Sequence, residues 1–467
     1  MLKINKFKLI IIFCLTFAST VFLFKLYYTR VSIYNYNVKA DYLYNFDHSN
    51  VHVNILPLQE NKVNINNYAY DGATNFIMLS IKATFIGKFI EPQIIVTSND
   101  KTIIQTVERS CTGIRYVNIS SLHITKGRDI SIYGNHLSID DQTIKIISFK
   151  NNEDISKSKI LIIAPHPDDA EIAAYGLYNN RSSYVITVTA GENGNPLYDE
   201  VYNDKKTQHI TTGKMRVWNS ITIPLLGNIK SDHLINLGYF DGTLQSMYKR
   251  EKPILSKSTG IKSINYFRKP TKTSFLTRKK LPEPSWESLV EDIKNIINNI
   301  QPDIIVTPYP AIDSHDDHKY TTIAVIESLL SIKFTKGSLF LYTNHLPQSE
   351  FFPFGSSCET LSIPPAFEQI YFNSIYSYQL SANEQIEKNL ALDAMNDLRP
   401  NIKWNTLNGN FHLLLGLIKN VVTGKNPSYF RRAIRSNELF FVIHNNRLSN
   451  KEVLNQLVLD IKSKNIL

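Results

Sequence analysis

From Lys159 onward the chain repeats a rhythm that few folds accommodate: a short apolar, β-branched run, a polar break, then a helical pattern. The strand-like runs are "KILIIAP", "SYVITVTAG" and "PDIIVTPYP", while "SWESLVEDIKNIINNI" and "DHKYTTIAVIESLLSI" space their apolar residues three and four apart. Runs that are apolar on both faces need cover on both sides, so the alternation predicts an α/β unit with a mainly parallel sheet and helices on both faces. In such sheets ligands sit beyond the carboxyl ends of the strands. Both chemically loaded motifs fall there: "HPDD" (166–169) follows the first strand, and "HDDH" (315–318) follows "IIVTPYP" after a short loop.

Charged groups at the end of a buried strand are costly unless something binds them. Pro167 stiffens its turn, and His166 and Asp169 stand three apart, able to face one point as a helix begins. His315 and His318 share that spacing. Two imidazoles and one carboxylate, from His166, Asp169 and His318, leave a coordination position open for water, the arrangement of catalytic rather than structural zinc. Another divalent metal fits the same donors. Asp168 and His315, each beside a ligand, are left to move protons. Cys14, Cys111 and Cys358 are neither clustered nor even in number, so any metal here falls to His and Asp.

The series "APHPDDAEIAAYGL", "ITVTAGENG", "KMRVWNSITIPLLGN", "LGYFDG" and "PDIIVTPYPAIDSHDDH" resembles, in order and spacing over roughly Lys159 to Leu330, the LmbE/PIG-L family of metal-dependent N-acetylglucosamine de-N-acetylases. The resemblance implies a Rossmann-like domain that hydrolyses the N-acetyl group of a sugar, usually with zinc. It makes His166, Asp169 and His318 the metal ligands, Asp168 the general base and His315 the residue stabilising the transition state. Arg216, Glu192 and Asp241 match positions that contact the sugar, and Asp317 matches a second-shell aspartate. The chain departs from the pattern at "IAAYG", where Tyr175 replaces a smaller residue, and at Asp316, where proline is common.

The N-terminal "MLKINKFKLIIIFCLTFASTVFLFKLYYTR" places Lys3, Lys6 and Lys8 before an uncharged run from Leu9 to Phe24. With Lys25 snorkelling and Tyr27 and Tyr28 at interface depth, residues 1–30 read as a marginal single span, favoured over a cleaved signal peptide. The lysines before the span favour an N-inside orientation, with the catalytic domain extracytoplasmic. Period-two runs between 31 and 150, such as "PQIIVTS" and "QTIKIISF", read as a small all-β, sandwich-like accessory domain, and "NNEDISKS" as the linker to a deacetylase domain over 156–467. Between Lys249 and Lys280 eleven Lys or Arg face the single acid Glu251, an excess equal to the chain's net charge of +10. This basic insertion reads either as a solvated loop or as a flap that collects an anionic substrate or lipid headgroup. Its interleaved Tyr266, Phe267 and Phe275 would also suit nucleic acid, a partner excluded for an exported chain. Arg431, Arg432 and Arg435 could grip an anionic substrate but read first as surface residues, and Asn344-His345 end a strand that could reach the same carboxyl edge, the histidine reading as structural ahead of a substrate contact.

Together these readings predict a membrane-anchored, zinc-dependent hydrolase that removes acetyl from an N-acetylated amino sugar of an envelope glycan or glycolipid. Zinc polarises water and carbonyl, Asp168 takes the water's proton, and protonated His315 meets the oxyanion. The alternatives are an amidohydrolase of another acyl amide and an inert glycan-binding protein.

Overall fold

The computed structural model describes residues 6–458 apart from 48, 66–73, 100, 124–126, 151–153, 196–197, 251–253, 271–274, 277–281, 399–406 and 425–427. Lys3, three residues of the expected linker and much of the basic insertion lie outside the described residues. The chain is a mixed α/β protein with three sheets and an apolar N-terminal helix, α1 (Lys6–Val31). Residues Ile11–Val31 of α1 are long and apolar enough to cross a membrane, and none of that stretch is buried.

Nine strands follow among the described residues: β1 (Val51–Pro57), β2 (Lys62–Ile65), β3 (Thr74–Ala83), β4 (Gln93–Ser98), β5 (Lys101–Thr106), β6 (Thr112–Asn118), β7 (Arg128–Asn135), β8 (Leu137–Ile139) and β9 (Thr143–Phe149). They form one sheet in the order β1-β9-β3-β6, with β8 pairing β3, and another in the order β2-β7-β4-β5. Ile77, Leu79 and Ile146 of the first sheet share a core with Ile94, Val96 and Ile130 of the second, as the period-two alternation requires. This pair of sheets is not sealed off. Phe76, Tyr116, Ile147 and Phe149 face the other way, into the core of the large C-terminal sheet.

The large sheet uses β10 (Ile160–Ala164), β11 (Ser183–Thr189), β12 (Leu234–Tyr239), β13 (Lys269–Pro270), β14 (Ile304–Pro308), β15 (Ser338–Tyr342), β16 (Ser374–Gln379) and β17 (Asn437–His444), in the order β13-β12-β11-β10-β14-β15-β17-β16. The five strands from β12 to β15 pair in parallel. Antiparallel pairings flank them, β13 at one edge and β17 with β16 at the other. The sheet is therefore mixed, and "mainly parallel" describes only its centre. Its helices are α2 (Asp169–Tyr178), α3 (Lys205–Thr222), α4 (Leu244–Tyr248), α5 (Trp286–Ile300), α6 (Asp316–Ser331), α7 (Ala382–Ala394), α8 (Leu407–Thr423), α9 (Tyr429–Ala433) and α10 (Lys451–Leu457). Alternate residues of β10 serve opposite faces: Leu161 and Ile163 pack with Ile293 of α5 and Ile323 of α6, while Ile160, Ile162 and Ala164 pack with Leu177 of α2 and Ala391 of α7. That two-sided burial is why the strand is apolar throughout.

Two surface expectations change. The basic insertion is anchored in part: Phe267 and Phe275 are core residues and Arg268 is held 2.7 Å from the buried Asp292 carboxylate, while Lys257, Lys262 and Tyr266 stay exposed. Arg431 and Arg435 are buried, their guanidinium groups donating to the carbonyls of Phe351 and Gly355 and of Phe354 and Ser356 respectively. They tie down a loop and are not surface cations.

Candidate metal centre

Strand β10 lies between β11 and β14, so the chain leaves it in one direction and returns on its other side. The carboxyl ends of β10 and β14 thus border a crossover point, where backbone diverges and a cleft opens. Beyond β10, Asp168 sits at the N-cap of α2 and Asp169 is its first residue. Beyond β14, His315 caps α6, its side chain accepting from the Asp317 amide, and His318 stands in the first helical turn. Separate secondary structures therefore hold the two motifs rigidly against each other.

Three donor atoms converge. His166 Nδ1 lies 3.2 Å from Asp169 Oδ2 and 3.2 Å from His318 Nε2, and His318 Nε2 lies 3.2 Å from Asp169 Oδ2. Tetrahedral zinc with N and O ligands at ~2.0–2.1 Å needs donors ~3.3–3.4 Å apart, so this triangle fits a zinc-sized ion. Two other triads also have atoms within 4.8 Å, His166-His315-His318 and His166-Asp241-Asp317. They are weaker choices, because His315 Nδ1 is committed to the Asp317 amide and the two aspartates approach the opposite nitrogen, His166 Nε2, at 3.3 and 3.4 Å.

An outer layer orients the donors. His318 Nδ1 faces Asp313 Oδ2 at 3.0 Å, leaving Nε2 directed inward, and Asn344 Nδ2 donates to Asp169 Oδ1 at 2.7 Å. Asp317, fully buried, accepts from the amides of Gly242 at 2.6 Å and Leu244 at 3.2 Å. The first of these uses the positive φ of Gly242, 72°. Such partners fix tautomer and ring direction.

The electrostatics follow from burial and neighbours. Burial pushes Asp169 up, but the adjacent His318 and His166 imidazoles prevail and hold it well below the usual carboxylate range. Burial lowers His318, yet Asp169 and Asp313 raise it to about 10. Without an ion, protons on the imidazoles balance the carboxylates, and metal binding must release them. Asp168 is raised to about 7 by burial, helped by like charge on Asp397 and Asp169 and opposed by Arg216. His315 is lowered to about 4 by burial and by the neighbouring His166 and His318. Both effects favour the neutral ring.

The structure gathers all the residues singled out in the sequence, but not into the same layer. Arg216 is buried and turned to protein groups: Asp168 Oδ1 at 3.3 Å, Asp397 Oδ2 at 2.8 Å and the Gly191 carbonyl at 3.0 Å. Glu192 is fully buried, accepting from the Asp241 amide and the Ser256 hydroxyl. Asp241 faces His166. Motif matching missed Asp313 and Asp397, although Asp313 stands just ahead of "SHDDH", while Asn344, at a strand end read as able to reach this edge, touches Asp169. Tyr175 is accommodated by a break in α2: Ala174 leaves helical geometry at φ −143°, and the Gly176 and Leu177 amides donate to Glu438 at 2.9 Å each.

Residues 161–329 match the model of a family described as PIG-L, GlcNAc-PI de-N-acetylase, and the resemblance read from the motifs is borne out over that segment. No curated protein matches the chain. Among solved structures, a zinc-inhibited form of teicoplanin deacetylase is 16% identical, with 61% of this chain and 97% of that one covered at a TM-score of 0.32. A deacetylase of the antimicrobial A40926 pseudoaglycone is 16% identical over 62% and 98% at 0.32, and a 4-carboxy-2-hydroxymuconate hydratase from Pseudomonas putida is 10% identical over 61% and 96% at 0.30. At these scores the likenesses carry no argument of their own.

Proposed function

We propose, from a PIG-L segment at 161–329 that carries a convergent His-Asp-His triangle, that this chain is a zinc-dependent N-deacetylase of an N-acetylated amino sugar. The observation that supports the reading most is that triangle with the Asp168 carboxylate next to it in sequence and accessible from solvent, its side chain 14% exposed. Zinc held by His166, Asp169 and His318 would supply Lewis acidity to water and to the acyl carbonyl.

The chain's own residues do the rest. A carboxylate titrating near 7 suits a base at neutral pH, so Asp168 takes the proton of the attacking water and returns it to the departing amine. Arg216, pinned by Asp397, keeps Asp168 in place. His315, with Nδ1 occupied, donates from Nε2 as a neutral ring to the oxyanion that develops at the acyl carbonyl oxygen. Water and amide become acetate and a free amine.

We assign residues 31–150 to an accessory domain and 156–467 to the deacetylase domain. With α1 as an N-inside anchor, the metal centre faces the extracytoplasmic side, and an envelope glycan or glycolipid is the substrate. Lys257 of the basic insertion donates to the Gly242 carbonyl, beside Asp241, and suits an anionic substrate. The test is acetate release from N-acetylglucosamine-containing glycans by the purified chain, together with mass spectrometry of envelope glycans with and without it. An unchanged acetyl content in both would overturn the reading.

A further inference from the structure

A cavity of ≈340 Å³ lies where the end of α1, the stretch just after the turn Ile86–Lys88 and Gly424 behind α8 meet. It is far simpler in charge than the metal centre. Arg30, Arg109 and Arg431 line it against Glu91 and Glu359, so three positive groups less two negative ones leave one positive charge in excess. Both glutamates are engaged: Glu91 with Arg109 Nη2 at 3.2 Å, and Glu359 with the Thr106 hydroxyl and the Ser356 amide at 2.7 and 3.0 Å. Arg109 is only 6% exposed. Its Nη2 also donates to the Gly424 carbonyl at 3.1 Å, yet its Nε and Nη1 find no hydrogen-bond partner among the described residues. A buried guanidinium edge left open is unfavourable, and an oxyanion accepting from both nitrogens would remove that cost.

The surroundings say which oxyanion. Arg30 closes the stretch of α1 that is long enough to span a membrane, and it donates to the Phe89 carbonyl at 2.6 Å. Ile90, at the cavity wall, is exposed, as are Phe85 and Ile86 beside it. Helix α8 packs against α1 and bares Phe411, Leu414, Leu417 and Ile418. A broad apolar helix face next to a candidate span belongs at a bilayer surface.

We propose that this cavity binds the phosphodiester of a membrane phospholipid headgroup, with Arg109 as its principal donor and the bared face of α8 resting in the acyl boundary. The proposal rests on reading α1 as an anchor. The excess of positive charge suits the negative charge of a phosphodiester, and the cavity lies at the C-terminal end of the candidate span.

The test uses the full chain in neutral maltoside micelles, titrated with dioctanoyl phosphatidylglycerol and separately with inorganic phosphate, with binding read by native mass spectrometry. One lipid should bind. Ser356→Glu, at an exposed wall position, sets a like charge across the cavity and should weaken binding about tenfold with the circular dichroism spectrum unchanged, and Arg109→Gln should do at least as much. If Arg109→Gln does not fold, Ser356→Glu decides. Equal lipid binding by wild type and Ser356→Glu overturns the proposal, and so does inorganic phosphate that binds as tightly and displaces the lipid. Carbonate washing of membranes tests the anchor separately: release of a chain that still binds lipid in micelles rejects the anchor alone, and retention of a chain that binds none rejects the headgroup site alone.

Discussion

The metal centre and the cavity beside α1 both bury arginine among carboxylates, yet they close differently. Arg216 meets Asp168, Asp397 and the Gly191 carbonyl, and around it His318 is flanked by Asp169 and Asp313. Arg109 uses Nη2 twice and leaves its other two nitrogens open. Arg216 is tied by two carboxylates and a carbonyl, although its Nε, Asp397 Oδ1 and His166 Nε2 make no well-aligned hydrogen bond among the described residues; Arg109 has its partners on a single nitrogen, and an open edge is a cost that a ligand removes. Burial of charge alone therefore marks neither site. The direction of the remaining donors does.

The largest effect should come from breaking the centre's triangle. His318→Ala removes one donor and a partner of Asp169, so metal content measured by atomic absorption should fall to background and deacetylation should vanish, while lipid binding at the cavity persists. Loss of lipid binding as well would show that the two regions are not independent.

Next is Asp168→Asn, which keeps shape and removes the proton acceptor. General-base assistance supplies ~10²–10⁴-fold, so kcat should drop by about that factor with metal retained. Loss of metal instead would mean that Asp168 and Asp169 have exchanged roles.

A smaller effect is expected of Asn344→Ala, because Asn344 only orients Asp169. Outer partners of ligands are typically worth ~10–100-fold, and metal affinity by chelator competition should weaken within that range. Unchanged affinity would reduce the outer layer to packing.

The mildest concerns Glu192, which burial and the nearby Asp241 charge raise to about 7. A carboxyl whose folded value lies above its ordinary 4.5 favours the fold while protonated; that contribution is complete below about 4.5 and is lost as pH rises through about 7. Melting temperature should therefore decline between those values in the wild type and less so in Glu192→Gln. Parallel curves would assign the decline to other groups.

Much of this was legible in the chain. The strands β10, β11 and β14 announce themselves by apolar, β-branched composition, and α5 and α6 by apolar residues spaced three and four apart. The metal motifs were legible because their geometry is local: three-residue spacing at a helix start already aims two side chains at one point. Less legible were the basic insertion, read as either a solvated loop or an anion-collecting flap although Phe267, Arg268 and Phe275 are packed, and Arg431 and Arg435, whose partners are carbonyls that no side-chain pattern reveals.

Sequence by itself determined which groups could do chemistry and on which edge of a sheet they would stand, since periodicity and short spacing are properties of neighbouring residues. Tertiary structure alone decided what those groups face. Asn344 reaches Asp169 across 175 positions and Gly424 reaches Arg109 across 315, and the burial that raises Asp168 or leaves an arginine edge open exists only once those distant segments have excluded water between them.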